Sequence, residues 1–222
     1  MKINSGIQAD MFAFENVTIE FNGRLILKNF SLKIKENEKI LIYGKSGIGK
    51  STILKLALGN LRPQSGRILY KGRPLSREVV WQVRKEAAYV SQDMEIGNGK
   101  VKEFLKLVFS YKANSHLSDI STEINELSDY FELNRDSLEK NIEDLSGGEK
   151  QRFMIITAIL LKRKIFLLDE VTSGLDPVLK KKVISFFLNE SNWTEIIVSH
   201  DNDWLSDGRI KNLNMEETTF DA

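Results

Sequence analysis

The chain has 222 residues, and 32 lysines and arginines stand against 31 acidic residues for a formal net charge of +1. A balance this near neutrality argues against a nucleic-acid-binding surface, and the absence of cysteine excludes a disulfide framework and a thiolate metal site. With His116 and His200 as its only histidines, a multi-histidine metal centre is disfavoured. The length suits one α/β domain with a well-filled core and room for a small attached lobe. The opening residues lack the apolar run of a signal peptide. The longest apolar stretch, 153–161, falls far short of the roughly 20 residues that span a bilayer. The expectation is a soluble, cytoplasmic chain whose membrane role, if any, runs through a partner.

Residues 11–35 alternate as strands do. Val17, Ile19 and Phe21 precede an Asn22-Gly23 turn, and Ile26, Phe30, Leu32 and Ile34 follow it, which predicts a hairpin. Ile40-Leu41-Ile42-Tyr43 reads as a buried strand. It runs into Gly44-Lys45-Ser46-Gly47-Ile48-Gly49-Lys50-Ser51-Thr52 and then a helical stretch from Ile53. This is the strand, glycine-rich loop and helix order of a phosphate-binding loop. Its glycines let backbone N–H groups turn inward around a β-phosphate. Lys50 is placed to carry charge to the β- and γ-phosphates and Ser51 to offer a hydroxyl to Mg²⁺.

Pro63-Gln64-Ser65-Gly66 reads as a turn, and residues 67–72 as a short strand pair. Residues 78–86 carry no clear period. Ala87-Ala88-Tyr89-Val90 reads as a strand entering Ser91-Gln92-Asp93. Between 93 and 143 the pattern turns helical. Val101, Phe104, Leu105, Val108 and Phe109 repeat at helical spacing, as do Ile120, Ile124, Leu127 and Phe131 after a polar break at Asn114-Ser115-His116. His116 is expected at the surface.

Leu145-Ser146-Gly147-Gly148-Glu149 comes next, with a helix expected from about Gly148. Adjacent glycines, a serine hydroxyl and a helix N-terminus make an anion site. The chain already holds one complete phosphate loop, so a second site is most simply explained by a dimer in which each copy contacts the other's nucleotide. Residues 153–161 read as a buried helix. Ile165-Phe166-Leu167-Leu168 ends in Asp169-Glu170, the pattern of a central parallel strand presenting carboxylates at its carboxyl end. Residues 195–198 form another buried strand, ending in Ser199-His200-Asp201. Lys50 and Ser51, Asp169 and Glu170, and His200 are thus expected on one rim.

These motifs, in this order from about Phe12 to Leu213, resemble the ATP-binding cassette (ABC) ATPases, whose signature is Leu-Ser-Gly-Gly-Gln/Glu. The resemblance implies a P-loop NTPase (RecA-like) α/β core with an antiparallel β lobe and an inserted helical subdomain. The whole of 1–222 would form one nucleotide-binding domain, with lobe and core in 1–92 and 144–222 and the helical subdomain in 93–143. It implies ATP and Mg²⁺ as cofactors. Phe21 would stack on adenine, and Gly44, Ser46, Gly47, Gly49, Lys50, Ser51 and Thr52 would cradle phosphate. Ser146, Gly147, Gly148 and Asp176, the last in a Ser173-Gly174-Leu175-Asp176-Pro177 segment at the dimer contact, would meet the nucleotide of the other copy. Ser51, Gln92 and Asp169 would serve the metal. Glu170 would orient and deprotonate the attacking water, with His200, Gln92 and Lys50 completing the catalytic set.

The partners implied are a transmembrane permease subunit docking on the helical subdomain and a second nucleotide-binding subunit, identical or not, with no nucleic acid. The location implied is the inner face of the cell membrane. Val171 stands where the family usually has proline after the paired acids, and Thr157 where it commonly has arginine; both should alter packing rather than contacts to phosphate, metal or water. The chain ends soon after an expected closing strand at 207–213 and a loose tail at 216–222, without the regulatory extension of many sugar importers, which mildly favours an exporter or simple importer. Its signature helix is similar to small bacterial cassettes linked to metal export. A non-transport ABC ATPase, of the DNA-maintenance or translation type, is the alternative. It lacks support here from a long coiled coil, a zinc motif or a second cassette.

Overall fold

The computed structural model describes residues 10–92, 96–117 and 120–218. The chain begins with a hairpin of β1 (Asp10–Phe21) and β2 (Arg24–Lys35). Phe21 pairs with Arg24 across the two-residue Asn22-Gly23 turn, and both turn residues take positive φ (50° and 76°). That is the mirror-image turn whose twist suits a hairpin. β4 (Ser65–Tyr70) and β5 (Arg73–Pro74) extend the sheet, giving the antiparallel order β2-β1-β4-β5.

Strict alternation fails in β1, where Met11, Phe12, Ala13 and Phe14 are all buried, and again in β2. The pattern predicts Ile26 inward with Phe30, but it is Leu27 that is fully buried. Register shifts between the strands and a left-handed Asn29 (φ 48°) absorb the odd residue, so Leu27 and Phe30 both reach the core. Ile26 is turned toward the phosphate loop instead.

The second sheet is wholly parallel, in the order β6-β7-β8-β3-β9. Its strands are β3 (Lys39–Tyr43), β6 (Ala87–Val90), β7 (Ile165–Asp169), β8 (Thr194–Val198) and β9 (Lys211–Asn214). Burial on both faces explains the apolar runs within β3, β6, β7 and β8; β9, at the sheet's edge, is polar and partly exposed. Ile40, Ile42, Leu167, Ile196 and Val198 face the β lobe and helix α1 (Lys50–Ala57). Leu41, Phe166, Leu168 and Ile197 face the opposite layer, built by α3 (Val101–Ser110), α4 (Ser121–Tyr130), α5 (Gly147–Leu160) and α6 (Pro177–Asn189).

Several local expectations are corrected. Residues 78–86, which carry no clear period, lie in α2 (Arg77–Glu86), started by the Ser76 side chain accepting from Val79 N–H. The signature helix begins at Gly147, one residue early, because Ser146 caps it. The closing strand is β9, at 211–214; residues 207–210 form a turn in which Arg209 and Asp207 pair. Residue 216 belongs to α8 (Met215–Thr218) rather than to a loose tail, and Met215 is fully buried. Asn114, read as part of a polar break, is buried. Its amide donates to Val108 C=O and its oxygen accepts from Arg163. His116 is exposed, as expected. The start of the 93–143 stretch, residues 93–95, lies outside the described residues, Asp93 beside Gln92 among them.

Candidate functional site

β7, β8 and β3 are neighbours, so their carboxyl ends bring three loops to one rim. A cavity of about 560 Å³ opens there, lined by Gly44, Ser46, Gly47, Gly49, Lys50, Ser51, Thr52, Gln92, Glu170 and His200, with Ile26 and Lys45. Gly49 stands at φ 109°, and a Cβ on it would lie 2.6 Å from Ile26 Cγ2. Only glycine lets the loop lie this close to the β lobe while keeping that backbone turn.

Lys50 is buried at the start of α1, and its ammonium donates to Gly44 C=O (2.8 Å) and Lys45 C=O (3.0 Å). An ammonium has three donors, so it holds the loop's shape and keeps one for an anion. Ser51 donates to Asp169 Oδ1 (2.8 Å), and Tyr89 on β6 donates to Oδ2 (3.3 Å). Burial pushes the Asp169 carboxyl above its ordinary value; the Ser51 and Tyr89 hydroxyls oppose this. Among the described residues no lysine, arginine or histidine forms an ion pair with Asp169. A buried carboxylate beside a serine hydroxyl, lacking a cation of its own, fits a hard divalent ion. Mg²⁺ binds through one or two protein oxygens plus substrate and water. Among the described residues no cluster of three or more His, Asp or Glu offers an all-protein cage.

Glu170 is also buried, with a positive φ of 52°. A non-glycine residue in that region is strained and persists only where neighbours hold it. Here its N–H donates to Val198 C=O (2.8 Å) and its C=O accepts from Ser173 N–H (2.9 Å). His200 Nδ1 lies 2.9 Å from Glu170 Oε2, and the Ser199 hydroxyl is 3.5 Å from the same oxygen. The imidazole is 72% exposed, so one edge holds the carboxylate while the rest faces the open cavity.

The signature residues are not brought to this cavity. Ser146, Gly147 and Gly148 lie outside its lining. Ser146 accepts from Glu149 N–H (3.2 Å), and Glu149 Oε2 accepts from Ser146 N–H (2.9 Å), a reciprocal capping box. Glu149 Oε1 also accepts from Ser137 (2.9 Å) and Lys140 (3.2 Å) in the helical region. The Ser146 backbone donor, with help from the Ser146, Ser137 and Lys140 side chains, overcomes burial and holds Glu149 down at about 2. A Cβ on Gly147 would meet nothing within 4 Å.

Two further residues stand apart from the cavity. Phe21 is 42% exposed at the hairpin end, so it is neither a core residue nor part of the cavity wall. Asp176 is exposed and caps α6, accepting from Val178 and Leu179 N–H with Pro177 in the first turn. Sequence reasoning missed Ile26, Tyr89 and Ser199. Ile26 was hidden by the register shift. Tyr89 and Ser199 could have been found as polar residues at strand ends next to residues already singled out. Val171 and Thr157 are both buried, and the Thr157 hydroxyl donates to Phe153 C=O within α5.

The family described as ABC transporter matches residues 27–173. The probable iron export ATP-binding protein FetA of Escherichia coli strain K12 is 33% identical over 196 residues, which cover 87% of this chain and 86% of FetA. The lactococcin-A transport/processing ATP-binding protein LcnC of Lactococcus lactis subsp. lactis is 34% identical over 185 residues, 80% of this chain but 25% of LcnC. The chain spans about a quarter to a third of the length of several curated relatives it matches. In three dimensions it is similar to a bacterial ABC transporter cassette solved as a dimer, with a TM-score of 0.76, 27% identity, and coverage of 92% of this chain and 95% of that one. With the phosphate loop, paired acids and capped signature helix in place, the chain belongs to the ABC transporter family, among its ATP-binding proteins.

Proposed function

We propose that this chain is the ATP-hydrolysing subunit of an ABC transporter, acting as a head-to-tail pair of nucleotide-binding subunits on two MgATP. The observation that carries this reading is the split between the two anion sites. One chain supplies the phosphate loop, Glu170 and His200 to a single cavity, with Asp169 bonded to Ser51 behind it, while its signature serine and glycines stay outside it, pre-shaped and open. A second copy turned through a two-fold axis would supply its signature to the open side of that cavity. Asp176 would sit near that contact.

Gly44, Ser46, Gly47, Gly49 and Thr52 would line the phosphate, with the third Lys50 donor toward it. Ser51, Asp169 and Gln92 would hold Mg²⁺, which when bound neutralises charge on the phosphoryl oxygens. Glu170 would orient a water and take its proton, held for this by His200 and Ser199. Phe21, exposed and flat, would stack on the adenine. No helix among the described residues is long and apolar enough to cross a membrane; the transport step is assigned to a membrane subunit. The amphipathic helices of 93–143 would receive it at the inner face of the cell membrane. The likeness to FetA supports metal export as the cargo class.

The test compares wild type with Glu170→Gln for ATP hydrolysis and for size in MgATP by light scattering. Turnover should fall roughly 10²–10⁴-fold, the worth of a general base, while the variant binds nucleotide and accumulates as a dimer. A Glu170→Gln protein that stays monomeric in MgATP, or hydrolyses as fast as wild type, would overturn the reading.

A further inference from the structure

Behind Glu170 and His200 lies a layer of polar groups that none of the roles above uses. Sheet pairing stops at the Asp169–Val198 rung, and one further bond, Glu170 N–H to Val198 C=O, closes the ladder. Beyond it two loops leave the sheet separately, one through Val171 and Thr172 and one through Ser199, His200 and Asp201. Four side chains tie them together. Asp201 Oδ2 accepts from Lys180 Nζ on α6 (2.7 Å) and from the Thr172 hydroxyl (3.4 Å). The same hydroxyl accepts from Trp204 Nε1 (3.3 Å), on the short helix α7 (Asn202–Leu205). Asp201 N–H donates to the Ser199 hydroxyl (3.0 Å), which lies against Glu170.

Burial makes this layer costly to leave incomplete. Trp204 is wholly buried, Thr172 and Ser199 almost so. A buried indole N–H and a buried hydroxyl each need a partner, and here each supplies the other's. Phenylalanine or leucine at 204 would be apolar too, but smaller and without a donor. The indole adds one directional bond, to the loop that carries Glu170. Lys180 brings the third element: a cation on α6, one turn past the Asp176 cap, neutralises the carboxylate next to His200.

We propose that Lys180, Asp201, Thr172 and Trp204 form a positioning clamp that keeps Glu170 and His200 in register. None of the four lines the cavity, so none is a catalytic residue. The inference rests on the ATPase reading above and deepens it. With the clamp loosened the loops part, the 2.9 Å contact between His200 and Glu170 is lost part of the time, and the phosphate loop is untouched. Small misplacements of reacting groups cost rate far more than binding.

The test uses the full chain carrying Thr172→Val, which deletes one hydroxyl, or Lys180→Met. For both, kcat should fall on the order of tenfold while KM for ATP stays within about twofold. Lys180→Arg should restore kcat. A double variant should lose less than the product of the single losses, because both act on Asp201. Unchanged kcat in folded single variants, or loss confined to thermal stability, overturns the clamp. Wild-type turnover abolished by Glu170→Gln, measured alongside, separates failure of the clamp from failure of the ATPase reading. A second readout needs no turnover. In a Trp81→Phe, Trp193→Phe background Trp204 is the sole tryptophan, and its emission, excited selectively, should respond to MgATP. Thr172→Val should suppress that response; an equal response in both proteins overturns the proposal.

Discussion

Two loops in this chain carry the glycine pattern of an anion site, and they are held in opposite ways. The phosphate loop, Gly44 to Thr52, is shaped by close packing: Gly49 presses on Ile26, Lys50 ties the loop's own carbonyls together, and Ser51 is bonded to Asp169 on the neighbouring strand. The signature loop is shaped by its own cap. Ser146 and Glu149 satisfy each other, Ser137 and Lys140 brace Glu149, and the glycine faces are left open. The first loop is complete within one chain. The second is finished in shape, and its serine and glycines lie outside the cavity that the first one lines. A sequence with two phosphate motifs need not have two phosphate sites; it can have two halves of one.

The largest effect that would break this comparison comes from mixing two inactive variants. Lys50→Ala disables a phosphate loop, and Ser146→Arg disables a signature. Each alone should abolish ATP hydrolysis. A mixed pair holds one fully intact composite site, so activity should return on mixing. If each loop served its own chain, no mixture could recover, and absence of recovery in a demonstrated mixed dimer would sink the composite site. Alanine at two glycines sharpens the same contrast. Gly49→Ala meets Ile26 at 2.6 Å with φ at 109°, so it should destabilise the fold by about 1–3 kcal/mol and weaken nucleotide binding. Gly147→Ala meets nothing within 4 Å and sits in a helix, so it should hold or raise stability, by up to about 1 kcal/mol. It should still impair ATP-driven dimerisation. Equal stability losses in the two would show that the loops are not held differently.

How far the sequence could be read follows the same division. Central strands were legible because burial on both faces writes an unbroken apolar run, as in residues 165–168, and strand-end residues follow from the strands. The hairpin turn was legible because Asn22-Gly23 names its own geometry. Ile26 was not, since a register shift is set by pairing partners rather than by the local pattern. Residues 78–86 were not, because α2 shows few apolar residues to the core: only Val79 and Val83 are buried, too few to mark a period. Asn114 looked like a surface residue because its partners, Val108 and Arg163, are distant or unremarkable in sequence. The clamp behind the site was invisible for the same reason. A tryptophan, a threonine and a lysine at 204, 172 and 180 mean nothing until the fold puts them together.

A smaller effect separates the loops by pH. Glu149 has a carboxyl depressed from 4.5 to about 2 by the capping bonds. A depressed carboxyl adds stability that is full above the unfolded value and lost as pH falls through the folded one. The contribution is therefore present above about pH 4.5 and fades toward pH 2. Glu149→Gln keeps a hydrogen-bonding side chain but not the charge. It should melt lower than wild type near neutrality, by on the order of 1 kcal/mol, the worth of a helix cap. The gap should close as the pH is lowered through that window. A gap independent of pH would mean that the ionised carboxylate contributes nothing to holding the signature loop.

Smallest of all is the expected effect at Phe21, where the comparison turns on the open side of the cavity. The ring is 42% exposed at the end of β1 and packs into neither core cluster. Its removal by Phe21→Ala should therefore change stability by no more than about 0.5 kcal/mol, as for an ordinary surface substitution. If the ring stacks on adenine, the same change should weaken ATP binding by the worth of one aromatic stack, about 0.5–1.5 kcal/mol, which is roughly a two- to tenfold rise in Kd. Phe21→Tyr should bind as wild type does, because a stack uses the ring face and not the para position. A triphosphate without a base supplies the control: its affinity should be the same with or without the ring. Weaker binding of ATP alone assigns the ring to the base, whereas equal weakening of both ligands would place the effect in the phosphate loop, transmitted through the hairpin and Ile26.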